Sequence, residues 1–352
     1  NSLIKKMRIL VTGGGGFVGS HVADYFSSKK NEVIAFDNLS RSEILGKSVF
    51  DPQHNWNYLS TKNSIKLVKG DIRNFNEIKK TIKDVEVIVH TAAQVAVTTS
   101  VTNPRLDFEV NALGTFNVLE AARLEDTSII FTSTNKVYGD NVNKIPVTSD
   151  EKKYSFADSE YDEGISEDFP IDMCGHSPYG CSKLVGDIYI QDYVQTYGLK
   201  AKILRMSCIY GPRQIGVSDQ GWVSHFIISA VMGRPITIFG DGMQVRDILF
   251  IDDLVESINS AVNNLGNDSI VFNIGGSSKF SISLLELIDF MKKILGLNVK
   301  YSVEDWRPHD QKVYLSNISK AEKELHWTPK IRPQEGLTRL YNWIIENKKI
   351  LY

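Results

Sequence analysis

Tyr179 and Lys183 stand four residues apart in a stretch that reads as helix to about Tyr197, so both side chains fall on one helical face. An ammonium beside a phenol stabilises the phenolate and pulls its pKa down from ~10 toward neutrality. Such a tyrosine takes the proton of a hydroxyl while a hydride leaves for a cofactor. The same spacing recurs at Tyr58 and Lys62, in a polar stretch before a strand and with no supporting motif. Position separates the two pairs. Tyr179 follows a strand ending Phe131-Thr-Ser133-Thr134, and a hydroxyl at that strand tip, Thr134, is placed to hold a substrate oxygen.

The run Gly13-Gly-Gly-Gly16-Phe17-Val18-Gly19 closes one apolar segment and opens a helical one. Both G-x-G-x-x-G (14, 16, 19) and G-x-x-G-x-x-G (13, 16, 19) fit it. Glycines let the backbone turn and approach a pyrophosphate, and a helix N-terminus offers unpaired N–H groups and a positive dipole end. Asp37 closes the second strand eighteen residues after Gly19. A carboxylate there accepts from both ribose hydroxyls and repels a 2′-phosphate, which favours NAD over NADP. Arg41 lies nearby and can stack on the cofactor or help a phosphate. Asp71 ends the third strand, either to bind the adenine amino group or to cap a helix at Asn74–Ile82.

The elements that must carry these residues alternate. Strands are expected at Met7–Thr12, Glu32–Asp37, Ser64–Lys69, Val85–His90, Ser128–Ser133 and Ala201–Met206, with helices such as Phe17–Ser28 and Asn103–Arg123 between them. That order means βαβ units, an α/β class and a mostly parallel sheet. Two polar stretches, 39–63 and 140–176, break the rhythm, and the second holds nine carboxylates between Asp150 and Asp172. It reads as a solvated surface loop or as a substrate lid. Past about residue 210 the helices Trp222–Met232, Asp252–Asn264, Ser283–Leu295 and Gln334–Asn347 mix with short strands at Pro235–Phe239 and Ile270–Asn273. With no Gly-, Ser- or Pro-rich linker, this is a smaller lobe packed on the sheet. The division expected is 7–210 for the cofactor domain and 211–350 for the substrate lobe, with some chain crossing back.

Composition narrows the functions. Of 352 residues, 42% are apolar and 23% charged, the balance of a globular protein. Forty basic against forty-two acidic residues give a net charge of −2, without the basic excess of a nucleic-acid binder. No apolar run reaches the ~18 residues of a membrane span, and no signal-peptide pattern precedes the first strand. Three cysteines with no CxxC make neither a disulfide frame nor a zinc site, so a cytoplasmic location is expected. The histidines show no ligand spacing, and no metal is expected.

Taken together, these residues resemble the extended short-chain dehydrogenase/reductases over essentially the whole chain. The carriers are Thr12–Gly19, Asp37-Asn-Leu, Gly70-Asp-Ile, His90-Thr-Ala-Ala93, Asn111-Ala-Leu-Gly-Thr115, Ser133-Thr134, Tyr179-x-x-x-Lys183, Tyr210-Gly-Pro-Arg213 and Arg246-Asp247. The resemblance implies a seven-stranded, doubly wound parallel sheet of Rossmann type with a smaller C-terminal α/β lobe for a nucleotide sugar. It implies a catalytic triad of Thr134, Tyr179 and Lys183. It implies NAD contacts at Gly13, Gly16, Phe17, Val18, Gly19, Asp37, Asn38, Arg41, Asp71, Ile72, Ala92, Ala93, Gln94, Asn111 and Ser133, with Tyr179 and Lys183. Substrate contacts are implied at Thr98, Thr134, Asn135, Ser207, Arg213, Gln220, Arg246 and Arg307. The three arginines suit phosphate, which a guanidinium binds with two parallel donors.

The phrases Ala93–Ser100, Ser133–Asp140, His176–Lys183 and Asp219–Val223 are similar to the branch of that family that epimerises C2 of CDP-3,6-dideoxyhexoses. A CDP-sugar substrate and a homodimer or homotetramer are therefore expected. A UDP-hexose 4-epimerase, or another nucleotide-sugar oxidoreductase or dehydratase of the family, is the alternative. A 4,6-dehydratase needs an acid and a base just after the triad threonine, where Asn135 and Lys136 stand, and an amide does not exchange protons as a carboxyl does. Ser207-Cys208 stands where many relatives carry a sugar-diphosphate asparagine.

Overall fold

Five short apolar runs become β1 (Arg8–Thr12), β2 (Glu32–Asp37), β3 (Ile65–Lys69), β4 (Val87–His90) and β5 (Ser128–Thr134). The computed structural model describes residues 6–41, 51–218, 220–266 and 268–351. The chain start, residues 42–50 of the first polar stretch and Asp219 of the Asp219–Val223 phrase lie outside the described residues. The five strands join Ala201–Met206 and Val271–Ile274 in one parallel sheet of seven. Its order is Val271–Ile274, Ala201–Met206, β5, β4, β1, β2, β3.

Strand residues alternate between faces, and both faces are covered, so these strands are apolar on both sides. Ile9, Val11, Val33 and Ala35 share one core with Val22 and Phe26 of α1 (Phe17–Ser28). Leu10, Ile34, Ile88 and Ile129 fill the other with Val118 and Leu119 of helix Gly114–Leu124 and with Ile190 of helix Ser177–Tyr197. The chain runs β1, β2, β3 toward one edge and then crosses back to lay β4 on the far side of β1. Connections leaving in opposite directions open a crevice beyond the carboxyl ends of β1 and β4.

The helix expected as one piece at Asn103–Arg123 is not one piece. Asn103 caps a short turn, Pro104–Phe108, its side chain accepting from Leu106 N. A π-helical turn, Glu109–Leu113, follows, and the α-helix resumes at Gly114–Leu124. The π-turn carries Asn111, whose amide is drawn out of the helical repeat by partners on two other segments. Such turns widen a helix by one residue and gather at functional sites.

The 140–176 stretch is not a plain solvated loop. It holds an antiparallel pair, Val147–Ser149 with Tyr154–Phe156. Its apolar residues form a third core, in which Ile165 packs with Val137, Tyr138, Val142, Ile145 and Tyr314. The carboxylates stay outside and hold backbone: Asp150 accepts from Lys152 N and Lys153 N, and Asp158 from Glu160 N. In the C-terminal part, Val245–Phe250 pairs with Cys208–Tyr210, Ser281–Ser283 and Val313–Tyr314. The strand expected at Ile270–Asn273 runs instead over Val271–Ile274 and edges the main sheet against Ala201–Met206. Helix Ile251–Asn263 packs on α1. Among the described residues no helix is long and apolar enough to cross a membrane.

A buried ion pair ties the tyrosine helix to the sheet. Arg205 donates through Nε and Nη2 to the two oxygens of Asp187, at 3.0 and 2.9 Å, and its Nη1 reaches Tyr138 Oη and Glu167 O. Both side chains are almost wholly buried. Breaking one partner leaves a desolvated charge, which costs more than the intact pair contributes. Arg205→Met is expected to lower the unfolding free energy by about 3–5 kcal/mol in urea titrations. Replacing Asp187 as well, by Leu, is expected to restore most of that loss.

Candidate active site

Gly13 takes φ +70°, and a Cβ there would stand 2.7 Å from Ala92 N. A Cβ at Gly19 would stand 2.0 Å from Gly13 O, so α1 starts directly on the turn only because both residues lack side chains. The helix N-cap is Gly16, with no side-chain cap and no acid in the first turn. The first N–H groups of a twelve-residue helix therefore face the crevice with the positive end of its dipole. That arrangement fits a pyrophosphate.

The ribose end fits as well. Asp37 accepts Gly15 N at 2.9 Å and Leu39 N at 2.7 Å, leaving acceptor capacity on both oxygens. Burial raises its pKa despite those two bonds, and the charge of Asp71 raises it further. Asp71 goes the other way. Burial opposes its ionisation, but Arg73 and Asn38 donate to it and bring it down to about 2. Asp71 does not cap the following helix, because Asn74 does, accepting from Asn76 N. Phe17, Val18, Ile72, Ala92, Ala93, Gln94 and Arg41 line the same crevice, and so does Gln220, expected on the substrate side. Arg41 is anchored by donating to Ile215 O at 2.7 Å, which ties the loop after β2 to the C-terminal part.

At the far end, helix Ser177–Tyr197 begins with Pro178 in its first turn and with Tyr179 N donating to Ser100 Oγ. The Tyr179 phenol feels the hydroxyl of Thr134, whose Oγ1 accepts Lys136 N at 3.2 Å. The expected lowering of the phenol by Lys183 does not occur. Burial pushes Tyr179 up to about 12, and Thr134 only moderates it. Lys183 Nζ donates to Thr132 O at 2.7 Å and lies 4.3 Å from the centre of the Phe131 ring. Burial brings it down to about 7, against the pull of Asp187 and Asp107. His90, between Thr12 and Thr115 hydroxyls, is held neutral by burial, its pKa down to about 3.

Several expected ligand contacts are committed to protein partners. Asn111 donates to Gln94 O, Asp107 Oδ1 and Ser182 Oγ and accepts Gln94 N, so it acts as a clamp. The Gln94 amide serves Ala96 and Asp107. Ser133 donates to Asp187, and Ser207 to Asp247, both away from the crevice. Arg213 does not join Arg246 and Arg307. It lies against the Tyr58 ring, 3.8 Å from Asp24 of α1, and Asp24 also takes Tyr58 Oη and Lys62 Nζ. The second tyrosine–lysine pair is therefore scaffolding for Arg213. Arg246 pairs with Asp310 at 2.6 Å, and Arg307 donates to Ser218 and stacks on Phe239. Thr98 Oγ1 is buried with no hydrogen-bond partner among the described residues, and Asn135 Oδ1 accepts weakly from Thr134 at 3.4 Å. Among the described residues no group of His, Cys, Asp and Glu gathers to hold a metal.

Ser100, Asp107 and Ser182 escaped the sequence. Asp107 sits four residues before Asn111, a helical spacing that is legible. Ser100 meets Tyr179 across seventy-nine residues, with no local signal.

Residues 10–340 match the family model described as GDP-mannose 4,6 dehydratase. The chain is 39% identical to CDP-paratose 2-epimerase of Salmonella typhi, over 96% of this chain and 99% of that protein. Among solved structures, UDP-glucose 4-epimerase from Thermotoga maritima with UDP-glucose superposes at a TM-score of 0.81, with 29% identity, covering 97% of this chain and 100% of that one. UDP-glucuronic acid 4-epimerase from Bacillus cereus, in complex with UDP-glucuronic acid and NAD, gives 0.79 and 28%, covering 97% and 99%.

Because Asp37 is raised and Asp71 lowered, one carboxylate of this end gains its proton at a higher pH than an ordinary aspartate. A raised carboxyl gains its proton at a higher pH than the ordinary ~3.9, so its acceptor capacity is lost as pH falls through that raised value. NAD affinity by calorimetry is expected to fall on acidification from above the ordinary aspartate range. Asp37→Asn is expected to bind NAD more weakly throughout and to flatten that dependence.

Proposed function

The chain belongs to the GDP-mannose 4,6 dehydratase family of NAD-dependent epimerases and dehydratases, and from that premise we propose that it inverts C2 of a CDP-linked 3,6-dideoxyhexose. It is an isomerase that uses NAD and a nucleotide-sugar substrate. The observation that carries the chemistry is the Tyr179 phenol beside the buried Thr134 hydroxyl at the tip of β5, one helical turn ahead of Lys183. The sugar is supported by the 39% identity to CDP-paratose 2-epimerase across nearly the whole of both chains.

NAD, when bound, supplies a hydride acceptor that later gives the hydride back. Gly13, Gly19 and the open end of α1 hold its pyrophosphate, and Asp37 its ribose. Thr134 Oγ1 orients the substrate hydroxyl toward Tyr179. Tyr179 takes that proton as the carbon is oxidised and returns it once the ketone has presented its other face. The phenol starts at about 12, so it becomes a base only with positive charge beside it. Lys183, one turn on, is that charge when protonated, and at about 7 it gains and loses a proton near neutrality. C2 has no neighbouring carbonyl to acidify its C–H bond, which favours hydride transfer over deprotonation.

With CDP-paratose as substrate, NMR is expected to show conversion to the C2 epimer, with no deuterium at C2 in heavy water. UDP-glucose turned over faster than CDP-paratose would overturn the C2 reading, and solvent deuterium at C2 would overturn the hydride route. Tyr179→Phe is expected to remove roughly 10²–10⁴-fold of the rate while leaving NAD bound.

An apolar face supports a homodimer or homotetramer. Phe108 at the end of the Pro104–Phe108 turn, Leu113 at the end of the π-turn, and Ile188, Tyr189 and Tyr197 on helix Ser177–Tyr197 are all exposed. Large exposed apolar residues from two neighbouring helices mark an interface. Light scattering at micromolar concentration is expected to give at least a dimer, and Ile188→Asp to give a monomer.

A further inference from the structure

Strand Tyr301–Glu304 has a partner on one side only. It runs parallel to Ile236–Phe239, with Lys300 O accepting Ile236 N and Glu304 O accepting Gly240 N, both at 2.9 Å. The N–H and C=O of one residue leave a strand on the same side, and successive residues alternate. Lys300, Ser302 and Glu304 therefore face the neighbouring strand. Tyr301 and Val303 point their N–H and C=O the other way, where no strand among the described residues pairs with them. Both side chains are exposed, Tyr301 by 43% and Val303 by 57%.

An open edge of this kind is a template for another strand, and proteins commonly block it with proline, a bulge or charge of one sign. The run Val299-Lys-Tyr-Ser-Val-Glu304 contains no proline and no glycine. Its two charges are opposite in sign and stand symmetrically, two residues either side of Ser302. Both are exposed, and neither has an ion pair among the described residues.

Backbone parity limits how two copies of this edge pair. In an antiparallel pair about a two-fold axis, outward-facing residues oppose outward-facing ones, so the axis passes through a residue and not between two. An axis at Ser302 sets Tyr301 against Val303, and Lys300 against Glu304, of the second copy. Lys300 and Glu304 then occupy the close, non-hydrogen-bonded sites, with Cα atoms about 4.5 Å apart. An axis at Val303 opposes Glu304 to Ser302 and Lys300 to Trp306, and an axis at Tyr301 opposes Lys300 to Ser302. Of these, the Ser302 register alone joins the two charges. It also sets an aromatic ring against a β-branched side chain, a favourable cross-strand pair.

We propose that strand Tyr301–Glu304 pairs antiparallel with the same strand of a second copy, about a two-fold axis at Ser302, and so joins dimers into a tetramer. A contact between two such short strands is too small to hold two chains by itself. A dimer presents two of these edges, and two contacts made together reinforce each other, so the inference rests on the helix-face dimer proposed above.

The test is light scattering of the full-length protein with NAD at micromolar concentration. Wild type is expected to be a tetramer. Lys300→Glu and Glu304→Lys, each of which sets like charges opposite, are expected to give dimers. The double variant Lys300→Glu with Glu304→Lys is expected to return to a tetramer, a rescue that a general loss of folding would not show. Val303→Pro is also expected to give a dimer, since it deletes an outward N–H and spares the ladder to Ile236–Phe239. A dimeric wild type, tetramers in both single charge variants, or a double variant that stays dimeric would each overturn the proposal. A monomeric wild type would overturn the helix-face dimer along with it.

Discussion

The arrangement depends on one amide. Asn111 sits in a π-turn and holds three segments at once: the loop after β4 through Gln94, its own helix through Asp107, and the tyrosine helix through Ser182. A regular α-helix from Asn103 to Leu124 would present the next face of the helix here and leave the Gln94 backbone without its partners. The extra residue of the π-turn aligns the amide with both sides. Since Gln94 lines the cofactor crevice and Ser182 lies one residue from Lys183, the clamp fixes the distance between cofactor and reacting groups. A site of this kind works by placement, so a rigid buried network is what it needs.

Around that clamp, burial sets the charges. It raises Tyr179 to about 12 and lowers Lys183 to about 7, so the protein alone favours a neutral phenol near an amine that titrates close to neutrality. At the ribose end the same force raises Asp37, while direct donors from Arg73 and Asn38 overrule it at Asp71. Groups of one chemical type are thus given different duties by their neighbours. Arg246 is held by Asp310, while Lys136 Nζ has no hydrogen bond or ion pair among the described residues.

Much was legible in the sequence because its cause is local. The glycine turn, Asp37 at a strand end, the four-residue step from Tyr179 to Lys183 and the strand–helix alternation all follow from short-range geometry, and the seven-stranded parallel sheet carries them as expected. The sequence determined these positions because a turn without side chains or a helical repeat admits few residue types. Only the tertiary structure decided which side chains remain for a ligand. Asn111, Ser133 and Ser207 bear the right groups but are used by partners that lie far off in the chain or across strands, and Arg213 is held by Asp24 and Tyr58. The π-turn, the apolar core formed by Val142, Ile145 and Ile165 in the 140–176 stretch and the raised phenol had the same origin. Each arises from desolvation and from contacts between distant segments, and neither is encoded in the spacing of residues along one segment.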